Sequence, residues 1–146
     1  MTNLSSFFRI AGVALLLALT TTVGMASDWS VNDRAEFKRI ISRQISAFRA
    51  DDAATAYSFA SPSIKAKFTS SSIFMAMVRN GYPAVYRAQS HSFEGLSKEL
   101  GDPTQRVKLI GPKGSTWLAL YGFQKQPDGS WRISAVVITK APGAAA

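Results

Sequence analysis

The segment of residues 117–139 constrains the fold of this chain more than any other, because its pattern predicts a β-hairpin. Two runs rich in aromatic and β-branched residues flank the sequence Pro127-Asp128-Gly129, and such runs favour strands. Proline presets φ for the first turn position, aspartate suits the next, and glycine adopts the left-handed conformation that closes the loop. We therefore predict two antiparallel strands joined by a three-residue loop.

This loop fixes which residues lie opposite one another in the predicted hairpin. Counting back from it gives the pairs Phe123–Ile133, Tyr121–Ala135, Ala119–Val137 and Trp117–Thr139. Side chains alternate between the two faces of a sheet, so these pairs share one face. The opposite face then carries Leu118, Leu120, Val136 and Ile138. Because both faces are apolar, we predict that helices cover the aromatic face. The aliphatic face meets another chain, as in a homodimer, or a further segment of this chain; alternatively, its residues are exposed or meet a terminus.

An amphipathic helix is predicted near the start of the domain. Asp33 is expected to cap it, with Glu36 three residues later as in a capping box. Apolar residues then recur at helical spacing from Phe37 to Phe48, which predicts one buried stripe along this helix.

Two shorter helices are expected to follow. Asp51 and Asp52 are predicted to break the first helix and cap a second over residues 53–60, because negative charge at a helix N-terminus complements its dipole. A run of serines can cap a third helix over residues 73–80, with Gly81 as its left-handed stop.

The second half of the chain reads as strands. Residues 89–96 and 106–110 alternate in polarity between turn sequences, which predicts two strands before the hairpin. Helices followed by strands are typical of an α+β domain. We predict three N-terminal helices packed on a curved antiparallel sheet of about four strands.

Residues 1–26 have the pattern of a secretory signal peptide. Arg9 supplies positive charge, an apolar stretch follows, and small residues lead to a predicted cleavage after Ala26. We expect an exported protein, periplasmic or secreted, with a single domain over residues 27–140 and a disordered tail over residues 141–146. An uncleaved N-terminal membrane anchor is the alternative.

Charge and cysteine content exclude several classes of protein. The net charge is +8, and loss of residues 1–26 would remove one arginine and no acidic residue, leaving +7. This charge favours anionic ligands or simply solubility, but the basic residues are spread along the chain, so no nucleic-acid binding is predicted. The chain has no cysteine, which excludes disulfides, thiol catalysis and thiolate metal sites.

No constellation of catalytic or metal-binding residues is evident. His91 is the only histidine, so a catalytic triad or a histidine metal cluster would need companions that are absent. We predict no metal, no cofactor and no assigned catalytic residue. An isomerase-like or hydrolase-like enzyme is an alternative, and it would need a buried Tyr, or Asp51 or Asp52 turned into a cavity with a raised pKa.

A binding cavity is a more specific expectation. Helices laid over a cupped sheet leave a space at its open end, lined by apolar and aromatic groups with a few polar tips. Tyrosine and tryptophan are amphipathic enough to line such a space, unless they fill it as core. The candidates are Tyr57, Tyr82, Tyr86, Trp117 and Tyr121.

Five sequence blocks stand out in order along the chain: AFRADDA at 47–53, FASP at 59–62, MVRNGYPAVYR at 77–87, WLALY at 117–121 and QPDGSWRI at 126–133. Together they resemble the blocks of an uncharacterised bacterial family, the domain of unknown function DUF4864. The resemblance extends over residues 33–138 and implies a cystatin-like, nuclear-transport-factor-two-like cone. The family often has two prolines before Val-Tyr, whereas this chain has Pro83-Ala84. The family brings no established activity, so no catalytic residue is carried over.

These observations favour an exported, non-enzymatic domain. We expect it to bind a small molecule or a protein partner through the cone or through the exposed sheet face. The alternatives are the enzyme described above and a homodimeric structural or assembly protein.

Overall fold

The computed structural model describes residues 28–101 and 103–142. In this part of the chain five helices come first and four strands follow. The helices are α1 (Val31–Arg49), α2 (Ala53–Ser58), α3 (Pro62–Lys67), α4 (Ser71–Gly81) and α5 (Pro83–Tyr86). The strands are β1 (Ser90–Ser97), β2 (Thr104–Ile110), β3 (Thr116–Lys125) and β4 (Trp131–Lys140). The predicted α+β class is confirmed.

Two helices that begin with proline account for the difference between the three helices predicted and the five observed. Pro62 opens α3 and Pro83 opens α5. The sequence around each proline favours a break, but proline also fits the first turn of a helix, where its missing N–H has no partner to lose. The predicted left-handed stop at Gly81 is wrong, because Gly81 belongs to α4 and has no positive φ.

Helix α1 begins at Val31, so the prediction of Asp33 as its cap is wrong. The Ser30 hydroxyl accepts from the Asp33 amide at 3.0 Å, and the Asp33 carboxylate accepts from the Ser30 amide at 3.1 Å. This is a capping box in which Asp33 plays the part expected of Glu36. Glu36 instead accepts a hydrogen bond from Arg39, which lies one turn later on the exposed face of α1.

The four strands form one antiparallel sheet in the order β1-β2-β3-β4. The turn between β3 and β4 has the predicted form. Gln126 donates its amide to the Ser130 carbonyl at 2.7 Å, and Gly129 has a φ of 85°. A side chain at this φ would be strained, so glycine is needed here.

The register of the terminal hairpin differs from the prediction by one residue over most of its length. Phe123 lies opposite Ile133, as expected, but the register shifts beyond this pair. Ser134 is the extra residue of β4, and such a bulge turns every following side chain to the other face. Tyr121 therefore lies opposite Val136. The other corrected pairs are Ala119–Ile138 and Trp117–Lys140.

The helices pack on the inner face of the sheet, which is the face that carries Tyr121 and Phe123. Phe37 of α1 stacks on Phe123 with ring centroids 4.5 Å apart and meets Trp131 edge-on at 4.9 Å. The Trp131 indole N–H donates to Asp33 at 2.9 Å and so links the two ends of the domain. The predicted helical cover of the aromatic face is confirmed.

Two predictions concern residues outside the described part of the chain. The predicted signal peptide, residues 1–26, lies entirely outside it. The predicted disordered tail, residues 141–146, is described only at Ala141 and Pro142. The Ala141 amide donates to the Thr116 carbonyl at 2.9 Å. No described helix combines the length and the apolar character that crossing a membrane requires.

Candidate functional site

A cavity of about 260 Å³ lies between helices α1, α3 and α4 and strands β3 and β4. Most of its lining is apolar. The side chains that form these walls include Phe48, Ile64, Phe68, Phe74, Met77 and Ile133. Apolar walls with a few polar groups are typical of a small-molecule site, and the volume lies just below the common range of about 300–1,000 Å³ for such sites.

The connection between α2 and α3 fixes one side of this cavity. Ile133 of β4 donates its amide to the Phe59 carbonyl at 2.8 Å, and its carbonyl accepts from the Ser61 amide at 2.8 Å. The buried Ser61 side chain then caps α3 by accepting from the Ile64 amide. These bonds hold the start of α3 against β4. The helix that follows forms one wall, with Ile64 and Lys67 lining the space.

Tyr121 is the most unusual residue of the lining. Its side chain is fully buried, and its hydroxyl has no hydrogen-bond partner among the described groups. Most buried polar atoms in proteins are paired, so an exception of this kind needs an explanation. Burial raises the pKa of Tyr121 above its ordinary value. The phenol is therefore neutral at physiological pH and can donate a hydrogen bond, but it is a poor general base.

The other polar groups of the lining differ in how far they are already engaged. The Gln44 amide donates to the Ala56 carbonyl at 3.1 Å, and the Tyr82 hydroxyl donates to the Val136 carbonyl at 3.4 Å. Lys67 is the only charged residue among the described lining residues.

The structure brings together two of the five predicted ligand-binding residues. Tyr82 and Tyr121 line the cavity, whereas Tyr57, Tyr86 and Trp117 do not. The Tyr57 hydroxyl donates to the Phe68 carbonyl. Trp117 lies at the other end of the inner face, where its indole packs against Gly111. Tyr86 belongs to a second polar cluster.

This second cluster joins the end of α1 to α5. The Tyr86 hydroxyl donates to Asp51, and the Arg87 guanidinium donates to both oxygens of Asp51 at 2.8 and 2.9 Å. Arg87 also donates to the Phe48 carbonyl at 2.6 Å. This carbonyl is one of the last four of α1, which have no partner within the helix ladder. Asp51 itself has a φ of 53°. A non-glycine residue in this left-handed conformation is held by its surroundings.

The structure does not support the enzyme alternative in which Asp51 or Asp52 is the catalytic group. Asp51 and Asp52 are both exposed. Hydrogen bonds from Tyr86 and then Arg87 lower the pKa of Asp51, and hydrogen bonds from Thr55 lower the pKa of Asp52. Asp52 is the N-cap of α2, as predicted. The raised pKa in a cavity that this alternative requires is found at neither residue.

His91 is paired with a single serine. Its Nε2 lies 3.1 Å from the Ser42 hydroxyl, and no Asp or Glu within residues 28–101 or 103–142 forms a hydrogen bond with it. Burial, followed by the charge of Arg49, lowers the pKa of His91. A serine–histidine pair without an orienting carboxylate lacks a part of the triad that activates serine. No group of three or more His, Asp or Glu in the described chain is arranged to hold a metal ion.

The predicted aliphatic face is divided between the two sides of the sheet. Val136 and Ile138 pack against the core on the inner face, because the bulge of β4 reverses their orientation. Leu118 and Leu120 remain on the outer face, where Val137 is 44% exposed. The prediction that the four residues share one face is therefore wrong. Whether two copies associate through the outer face stays a prediction.

Lys67, Gln44 and the apolar residues of α3 and α4 were missing from the predicted site. The spacing of Ile64 and Phe68, one helical turn apart, was the available signal that α3 has a buried side. No sequence signal places Lys67 and Tyr121 at the same cavity, because they are brought there by the packing of α3 against the sheet.

A family model described as a domain of unknown function (DUF4864) matches residues 30–146. Comparison with curated proteins and with solved structures finds no significant match. The cone and the wider nuclear-transport-factor-two-like superfamily therefore stay predictions. Because the model spans well over half of the sequence, the chain belongs to the DUF4864 family.

Proposed function

We propose that this protein binds a small, mainly apolar molecule in the cavity between α1, α3, α4 and the sheet. The observation that carries the proposal is Tyr121, which lines this mainly apolar space and whose buried hydroxyl has no hydrogen-bond partner among the described groups. A ligand atom that accepts a hydrogen bond, such as a carbonyl oxygen, would satisfy this donor. Since the phenol is neutral and a poor base, binding is favoured over catalysis.

The volume sets the size of the ligand. An engineered apolar cavity of about 150 Å³ holds benzene, with its six carbon atoms. By proportion, a cavity of about 260 Å³ accommodates a molecule of about ten non-hydrogen atoms. A medium-chain ketone such as 2-nonanone has this size, an apolar body and one carbonyl acceptor.

Titration calorimetry with 2-nonanone tests the proposal. We expect saturable binding, and at ten times its Kd the ketone should stabilise the protein by about 1.4 kcal/mol. Tyr121→Phe should weaken binding about tenfold, because the ketone oxygen loses its donor while the apolar walls remain. Tyr57→Phe is the matched control, since Tyr57 does not line the cavity.

A blocked cavity gives a second control. Ile64→Trp enlarges a half-buried wall residue without adding charge and should abolish the binding of 2-nonanone. Absence of saturable binding to the unmodified protein, or equal affinity in the Ile64→Trp variant, would contradict the proposal.

Export is the second part of the proposal. It is supported by the pattern of residues 1–26, in which Arg9 precedes an apolar stretch and small residues end at Ala26. Expression of the full chain in a Gram-negative host, followed by fractionation and N-terminal sequencing, should recover a periplasmic product that begins at Ser27. A cytoplasmic product that retains Met1 would contradict it.

A further inference from the structure

Lys67 is a cationic group beside the apolar cavity, with no counter-ion in the described part of the chain. It lines the cavity and is exposed, so it lies where the space meets solvent. Its side chain forms no hydrogen bond or ion pair with another described residue. The described residues that line the cavity include no acidic side chain to compete for it. An ammonium group in this position favours an anion at the entrance.

The position of Lys67 in α3 offers a competing explanation, since cations near a helix C-terminus complement the helix dipole. Lys65 lies in the same last turn, so its positive charge interacts with the helix dipole in the same way. The two lysines differ in what they face. The Lys65 ammonium lies 5.1 Å from the centroid of the Tyr57 ring and does not line this cavity, whereas Lys67 does. The helix dipole alone therefore does not account for the placement of Lys67.

We infer that the ligand is a monoanionic amphiphile, a medium-chain carboxylate whose charged group lies beside Lys67 while its apolar body fills the cavity. This inference rests on the proposed function and deepens it. A single ammonium group matches one negative charge. The lining, as far as the structure describes it, has no arginine to offer the paired donors that favour phosphate. A second oxygen on the body of the ligand, as in an oxo acid, accepts from Tyr121.

Two probes of nearly equal shape separate the charge from the rest of the ligand. 7-Oxooctanoate carries a carboxylate, and 7-oxooctanamide carries a neutral amide in its place. We expect the carboxylate to bind about tenfold more tightly, because hydrogen bonds to charged groups are the stronger ones. Raising the salt concentration from 0.05 to 0.5 M should weaken the binding of the carboxylate but not of the amide.

Variants of Lys67 and Lys65 test whether Lys67 causes the preference for the carboxylate over the amide. Lys67→Met should make the two probes bind equally by weakening only the carboxylate. Lys65→Met, with the same loss of charge from the same helical turn, should keep the tenfold preference. Equal loss of preference in both variants would show a general effect of positive charge and overturn the assignment to Lys67.

The other outcomes distinguish this inference from the proposed function. If 2-nonanone and the amide bind but the carboxylate binds no more tightly than the amide, the inference is overturned and the apolar site stands. If 2-nonanone binds and neither oxo compound does, the inference is again overturned. If none of the three compounds binds, both the inference and the proposed function fall.

Discussion

Replacing Tyr121 with phenylalanine should stabilise the protein in the absence of ligand. The substitution removes one hydroxyl, which is fully buried and has no partner among the described groups. Leaving such a group unpaired costs about 1–3 kcal/mol, while the aromatic ring keeps its contacts. We therefore expect the free energy of unfolding of Tyr121→Phe to rise by about 1–3 kcal/mol. The same variant should bind 2-nonanone more weakly, so stability and binding should change in opposite directions.

Tyr57→Phe is the same chemical change at a site where the hydroxyl is paired. The Tyr57 hydroxyl donates to the Phe68 carbonyl, and its loss leaves that carbonyl without this donor. We expect the free energy of unfolding to fall by about 0.5–1.5 kcal/mol. Two tyrosine-to-phenylalanine variants of one protein should therefore have stability changes of opposite sign.

Urea denaturation at neutral pH measures both variants. With a typical slope for a domain of this size, the midpoint of Tyr121→Phe should shift upward by about 0.5–1.5 M and the slope should not change. A fall in stability of about 1 kcal/mol in Tyr121→Phe, equal to that in Tyr57→Phe, would refute the reasoning. It would mean that the Tyr121 hydroxyl already has a hydrogen-bond partner in the free protein.

The pH dependence provides an independent check on Tyr121. Its folded pKa is raised by burial above the ordinary value of 10.0. The folded state then holds the phenolic proton more tightly than the unfolded state does. This contribution to stability is complete below pH 10 and is lost as the pH rises above it. The unmodified protein should lose stability above about pH 10 more steeply than Tyr121→Phe does.

Three further predictions concern the rest of the fold. The pKa of His91 is lowered from 6.5 in the folded protein, so the free energy of unfolding of the unmodified protein should fall as the pH drops below about 6.5. In urea denaturation at pH 5–7, His91→Gln should make the free energy of unfolding depend less on pH. Gly111→Ala should destabilise by about 1–3 kcal/mol, because the new Cβ would lie 2.9 Å from Trp117 Nε1; an unchanged urea midpoint would contradict this. Asp33→Ala should destabilise by about 1–2 kcal/mol through the loss of the α1 capping box and of the bond from Trp131, and an unaltered melting temperature would show that neither bond contributes.

Local sequence signals were sufficient for much of the fold. The turn at Pro127-Asp128-Gly129 carries its own conformational preferences, so the hairpin tip could be predicted with its left-handed glycine. The cap at Asp52 could be predicted for the same reason, since its side chain bonds to a residue three positions away. The start of α1 was placed three residues late, because Ser30 and Asp33 are both good caps and only the folded structure shows Asp33 bonding back to Ser30.

The site could be predicted only in part. Tyr121 could be predicted because a tyrosine combines an apolar ring with a polar tip, which is the character expected of a cavity wall. Tyr57 and Tyr86 were assigned to the same space, but each hydroxyl has a partner on a neighbouring element instead, the Phe68 carbonyl and Asp51. A sequence gives the residues that can form such bonds, but the choice among partners depends on how the short helices pack.

The bulge at Ser134 determines the role of Val136. Without the bulge, Val136 would lie on the outer face beside Leu118 and Leu120, and the predicted aliphatic face would be complete. With it, Val136 turns inward, lies opposite Tyr121 and joins the lining of the cavity. The side chain of Val136 can face only one side of the sheet. The extra residue in β4 therefore reduces the apolar area of the outer face and adds an apolar residue to the lining that includes Tyr121. No local signal in the sequence marks Ser134 as a bulge, and the proposed binding site and the predicted association surface both depend on that one residue.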